Sequence, residues 1–107
     1  MTPLGDRIAA LAAAGETATY GALARELGLR MGELTAALEA MMVEDAAAGR
    51  PLRAVLCRQR LSPDALPAPG FFAAAASLGI RIDDLYAYVA EARAQLRAKA
   101  AAPRDRA

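Results

Sequence analysis

Residues 20–29, Tyr20-Gly21-Ala22-Leu23-Ala24-Arg25-Glu26-Leu27-Gly28-Leu29, decide the fold. Tyr20, Leu23, Ala24 and Leu27 recur at helical spacing and mark one apolar face of a helix over about 20–27. Gly28 ends it, because glycine adopts the positive φ of a tight turn without steric cost. A second helix follows over about 31–48, with Met31, Leu34, Leu38, Met41, Met42 and Asp45 in the i, i+3, i+4, i+7 rhythm, only the last of them polar. Ala24 is small where two such helices cross closely. Two helices around a tight glycine turn make a helix-turn-helix; the plainer alternative is any two packed helices joined by a glycine.

Working outward, Thr2-Pro3 is a helix cap followed by proline at the first helical position. Asp6 falls in the first turn, where the helix dipole favours an acid. Leu4, Ile8 and Leu11 give an apolar face, and Gly15 closes a helix over about 3–14. Thr17-Ala18-Thr19 is either a very short strand or the cap of the next helix. Downstream, Gly49 stops the second long helix and Pro51 prevents its resumption. Leu52 to Cys57 is the best strand in the chain. A loop from Ser62 to Gly70 carries Pro63, Pro67 and Pro69, and a return strand near 68–73 would be confined by its prolines to a sheet edge. A fourth helix covers about 71–78 and Gly79 ends it. Asp83 caps a fifth helix over about 84–100, with Leu85, Val89, Ala92 and Leu96 on one face. The expected architecture is mainly α: a winged-helix-like helix-turn-helix with a small β wing and an added C-terminal helix. It forms a single domain over 1–100 with a frayed tail at 101–107.

The length of 107 residues bounds this to one domain. Thirty residues are alanine, so half of the apolar side chains contribute little and the core is modest. There is no histidine and one cysteine, Cys57, which excludes a Ser-His-Asp triad, a Cys-His pair, a His-rich metal site and an intrachain disulfide. Gly28-x-x-x-Gly32 lacks the Lys and Ser/Thr of a phosphate loop. Asp83-Asp84 is followed by Leu85-Tyr86-Ala87 rather than by a phosphate-binding turn, so the pair reads as a cap. Glu44-Asp45 has no third ligand near it in sequence. No cofactor and no metal are expected. The N-terminus lacks the basic opening of a signal peptide and no apolar run reaches membrane-spanning length, so the expectation is a cytoplasmic chain with no membrane partner. A lone cysteine fits a reducing compartment.

The net charge of +1 names no partner, but its distribution is informative. Residues 16–49 hold six acids against two bases, whereas residues 50–60 hold Arg50, Arg53, Arg58 and Arg60 and no acid. Phosphate contact supplies most of the affinity of DNA-binding proteins, and an acidic second helix opposes it. That helix also lacks the Asn and Gln that read adenine. If duplex DNA is the partner, Arg53, Arg58 and Arg60 hold phosphates while Arg25, Arg30 and Thr35 stand nearest the groove. The plainer alternative pairs the arginines with the acids of 33–45 on the same small domain. The partner is therefore a protein or duplex DNA, with the acidic helix tilting the balance toward protein. Residues 93–107 carry five bases and one acid, a second basic stretch. Met31, Met41 and Met42 belong to the apolar stripe and read as core. Phe71 and Phe72 plug the core, one of them partly exposed.

Three segments together, Thr17-x-Thr19-Tyr20-Gly21-x-Leu23-Ala24, Gly49-Arg50-Pro51-Leu52 and Pro69-Gly70-Phe71-Phe72, resemble a group of small bacterial winged-helix-like proteins. Some of these stand alone and others are attached to nuclease domains. The resemblance spans about residues 16–79 and implies the fold rather than an activity. It also implies homodimerisation through the C-terminal helix as one option, since terminal helices of winged-helix proteins often dimerise. Thr17 to Ala24 is more distantly similar to the DNA-binding domain of alkyltransferases and alkyltransferase-like proteins, which implies a lesion-binding protein without transferase activity as the alternative function. That family carries Pro-Cys-His-Arg at its reactive site. Here Leu56-Cys57-Arg58-Gln59 lacks both the proline and the histidine, and no arginine stands in the middle of helix 31–48, where the family inserts one into the duplex. A thiol needs a base or a cationic field to become a nucleophile. Arg53 and Arg58 flank Cys57, but nothing relays a proton, and free cysteine is among the most buried residue types. Cys57 therefore reads as core, and the chain as a non-catalytic binding module; an enzyme using Cys57 is the minor alternative.

Overall fold

A computed structural model describes residues 2–101. The first helix, α1 (Pro3–Ala14), begins where the Thr2 hydroxyl accepts from the Gly5 N–H at 2.9 Å, and ends at Gly15 with φ 70°. Strand β1 (Ala18–Thr19) leads directly into α2 (Tyr20–Leu27), whose cap is the Thr19 hydroxyl accepting from the Ala22 N–H at 3.2 Å. Both readings of Thr17–Thr19 therefore hold at once. Gly28, at φ 69°, turns the chain, and α3 (Met31–Ala47) follows. At its start the Glu33 carboxylate reaches back to accept from the Arg30 N–H at 2.8 Å. Helices α4 (Pro69–Ser77) and α5 (Leu85–Ala101) complete a mainly helical chain with one small two-stranded sheet.

The segment before Cys57 differs from expectation. Arg53–Leu56 is a single 3-10 turn, and only Cys57–Arg58 is strand (β2). A strand needs a ladder partner, and β1 supplies two residues: Ala18 pairs with Cys57 and Thr19 with Arg58, in parallel. The intervening path through α2 and α3 is the crossover that parallel pairing demands. Upstream of Cys57 the backbone donors find local acceptors, Val55 N–H on the Leu52 carbonyl and Arg53 N–H on the Asp45 carboxylate. No return strand forms near 68–73. Pro69 opens α4 two residues earlier than expected, and the loop ahead of it is closed by one backbone bond, Gln59 N–H to the Leu66 carbonyl at 2.9 Å. The cap of α5 is Asp84, which accepts from the Ala87 N–H at 3.1 Å, while Asp83 pairs instead with Arg81. Ala101 is the last residue of α5, and the remainder of the expected tail, 102–107, lies outside the described residues.

The 3-10 turn is the centre of the core. Ala54, Val55, Leu56 and Cys57 are all buried, with Leu4, Ile8 and Leu11 of α1 and Leu34, Leu38 and Met42 of α3 in the same cluster. Helix α1 packs on both α5 and the turn. The apolar face of α5, Val89, Ala92 and Leu96, is buried in this packing. Phe71 is buried and Phe72 partly so, their rings edge-to-face at 5.1 Å, and both enter the core from α4 rather than from the loop. Asp45, the polar residue in the α3 stripe, is wholly buried.

Two positions carry opposite predictions from the same steric rule. Gly28 needs its φ of 69°, although nothing lies within 4 Å of where a Cβ would stand. Gly28→Ala should therefore lower stability by about 1–2 kcal/mol, wholly from left-handed backbone strain. Ala65 is the one non-glycine at positive φ (54°) among the described residues. Ala65→Gly should raise stability, by up to about 1 kcal/mol. Urea midpoints of the two variants measure both.

Candidate functional site

A groove of about 500 Å³ runs along one side of α3. Leu38, Met42 and Phe71 form its floor, and Met31, Thr35, Glu39 and Arg60 line it at the surface. Helix spacing explains half of this lining: Met31, Thr35, Leu38 and Met42 lie on one face of α3. The other half comes from Gln59, Arg60 and the start of α4. Tyr20 ties the two halves together, its phenol oxygen accepting from the Ala68 N–H at 3.0 Å. Burial raises the Tyr20 pKa above its ordinary value. Met31, expected in the core, is 49% exposed on this groove. The lining is mostly apolar, with a few polar groups at the edge.

Of the six residues expected at a DNA interface, the groove gathers two, Thr35 and Arg60. Arg25 is exposed on α2 and has no ion pair among the described residues. Arg30 is exposed and stands 3.6 Å from Glu33. Arg53 is engaged: its backbone N–H and its Nε both donate to the buried Asp45 carboxylate, at 2.9 and 3.0 Å, and Nη2 donates to Glu44. These bonds raise its pKa, the Asp45 hydrogen bond most of all. Arg50 joins Asp45 at 3.1 Å. Pairing with the acids of α3 thus accounts for Arg50 and Arg53. Arg58 is half-buried, its Nε donating to the Thr17 hydroxyl at 3.1 Å.

Cys57 has no exposed surface. Burial pushes its thiol up to about 12, against a weaker opposing pull from Arg93. Arg93 was grouped in sequence with the basic end of α5, yet it is half-buried. Its Nε donates to the Val55 carbonyl at 2.8 Å and its Nη2 to the Ala65 carbonyl at 2.6 Å. A signal was present: Arg93 follows Val89 by four residues and Ala92 by one, so it borders the buried face of α5. Tyr20 and Phe71 as groove residues had no signal, because what places them there is the meeting of α3 with the distant α4. Among the described residues no group of three or more Cys, Asp or Glu is placed to hold a metal. None of the described helices is long and apolar enough to cross a membrane.

Arg53→Ala should cost about 2–3 kcal/mol, less than stripping a buried carboxylate of every partner because Arg50 remains. Arg60→Ala should leave stability unchanged. Urea unfolding of the pair separates a structural arginine from a surface one. For Cys57 the folded pKa is raised, so its stabilising contribution is complete below the unfolded value of 9.0 and lost as pH rises toward about 12. Stability should fall across that alkaline window, with Tyr20 acting in the same direction, and Cys57→Ala should flatten part of the slope of urea midpoint against pH.

No protein-family model matches the chain, and neither a curated protein nor a solved structure matches it.

Proposed function

We propose that this chain is a non-catalytic winged-helix-like module whose partner is a protein. In this reading α2, the Gly28 turn and α3 are the helix-turn-helix, and the loop closed by Gln59 and Leu66 stands in the place of the wing. The observation that carries the choice of partner is the groove: an apolar floor of Leu38, Met42 and Phe71 with a half-exposed methionine at its edge. Such a surface fits an amphipathic helical segment that inserts apolar anchors at i and i+3 or i+4. Met31 adds an unbranched, adaptable contact. A protein partner is also favoured by the engagement of Arg53 with Asp45 and Glu44, which takes one expected phosphate ligand away from DNA. The exposed acids Glu33 and Glu39 on α3 oppose a duplex as well.

The test compares two ligands on the same protein. A labelled random duplex, followed by fluorescence anisotropy from about 20 to 200 mM salt, should show no binding. A random peptide display library should yield ligands with helically spaced apolar residues, and Met31→Asp should abolish their binding while leaving the thermal midpoint unchanged. Steeply salt-dependent duplex binding that is lost on replacing Arg25, Arg30 and Arg60 with Ala would overturn the reading in favour of DNA. Selective binding of an alkylated over a plain duplex would replace it with the lesion-binding alternative. Peptide ligands indifferent to Met31→Asp would remove the groove from the site.

A further inference from the structure

The groove beside α3 has two sides of different origin. One is α3, which contributes Leu38, Met42 and Glu39. The other is the segment after β2 and the start of α4, which contribute Arg60 and Phe71. Each side thus carries one charged group, the two are of opposite sign, and no other charged residue lines the groove. Both are exposed, and neither forms an ion pair with the other or with any described residue. The neighbouring charges are engaged elsewhere: Arg30 with Glu33, and Arg53 with Asp45 and Glu44. Asp64 follows on the loop of Arg60 but does not line the groove. Two unpaired, opposite charges on either side of an apolar floor are a template for a ligand with the complementary pair.

An amphipathic helix laid in such a groove turns its apolar stripe to the floor, and the residues bordering the stripe project toward the two sides. Turning the helix end for end keeps the stripe on the floor but exchanges the sides. The apolar floor of Leu38, Met42 and Phe71 therefore does not distinguish the two directions, whereas one charge on each side does. In one direction a basic residue meets Glu39 and an acidic residue meets Arg60. In the other, each charge meets its like, and like charges across an interface are penalised.

We propose that the partner segment is a helix with a basic residue on one border of its apolar stripe and an acidic residue on the other, and that Glu39 and Arg60 fix the direction in which it lies. This rests on the reading of the groove as a helix-docking site, and adds to it the partner's charge pattern and a single orientation. Buried apolar area supplies the affinity. The two edge charges supply the selection, since an exposed pair contributes little by itself but a reversed one opposes binding. That selection weakens as salt screens the exposed charges.

The experiment takes the helical ligands that a random peptide display library yields on the unmodified protein and measures one synthetic ligand by fluorescence anisotropy. The sequenced ligands should carry Lys or Arg on one border of the stripe and Asp or Glu on the other, on the same sides throughout when viewed from the peptide N-terminus. Exchanging the two border charges of the synthetic peptide should weaken binding about tenfold, as two modest edge pairs are reversed at once. The exchanged peptide should regain its affinity on the double variant Glu39→Arg with Arg60→Glu, where the original peptide should lose it. Equal binding of the two peptides to the unmodified protein overturns the proposal; if Met31→Asp still abolishes that binding, the groove reading itself stands. Ligands indifferent to Met31→Asp, or no helical ligand at all, overturn both together. Self-association without peptide, read by sedimentation velocity and lost on Met31→Asp, overturns the proposal in favour of a second copy of the chain. Both charged side chains are exposed, so the double variant should keep its thermal midpoint. Should it fail to fold, the two peptides on the unmodified protein decide the question alone.

Discussion

The buried carboxylate of Asp45 organises this fold. It sits near the end of α3 with no exposed surface and accepts from the Arg53 N–H, from Arg53 Nε and from Arg50. An unpaired charge in that position would be strongly destabilising. Satisfying it requires the chain to turn back immediately after α3, across Gly49 and Pro51, so that Arg53 meets the helix it has just left. That return places the 3-10 turn against α3, with Ala54, Val55, Leu56 and Cys57 in the core. Helix α1 and helix α5 pack on that same turn. One carboxylate therefore sets where a core containing many small side chains is centred.

The same pairing sorts the charges of the molecule. The acids at the end of α3 neutralise Arg50 and Arg53, so the excess of base between residues 50 and 60 is largely internal. The cations without carboxylate partners separate onto other surfaces. Arg60 joins the apolar groove beside α3, Arg58 is bonded to the Thr17 hydroxyl, and Arg93 is anchored on the Val55 and Ala65 carbonyls. Tyr20 ties the start of α2 to the loop before α4, its phenol oxygen accepting from the Ala68 N–H.

The helices were legible because their signals are local. Thr2-Pro3, Gly15, Thr19, Gly28 and Gly49 act on the backbone within a few residues, and the spacing of Leu4, Ile8 and Leu11 needs no distant partner to be recognised. The misreadings share one cause. Leu52–Cys57 has strand composition, yet whether such a run is a strand depends on how much edge a partner offers, and β1 offers two residues. Pro69 has the local signature of a loop end, yet it begins a helix whose Phe71 and Ala75 are buried. Asp83 is the cap the sequence points to, but the helix begins at Leu85, so Asp84 caps it and Asp83 pairs with Arg81.

By itself the sequence determined the boundaries of the first three helices to within a residue, the mainly helical class, the absence of histidine chemistry and the character of Cys57 as a core residue, since composition and short-range backbone preferences suffice for these. Tertiary structure alone decided which arginines are neutralised by carboxylates, which are held by hydroxyl or carbonyl oxygens, and where a groove opens. Arg53 and Arg58 are five residues apart and indistinguishable in sequence. One meets a buried carboxylate from α3 and the other a hydroxyl from before α2. A charge takes its role from neighbours that only the folded chain brings within reach, because Coulomb interactions and hydrogen bonds depend on distance in space, not on separation along the chain.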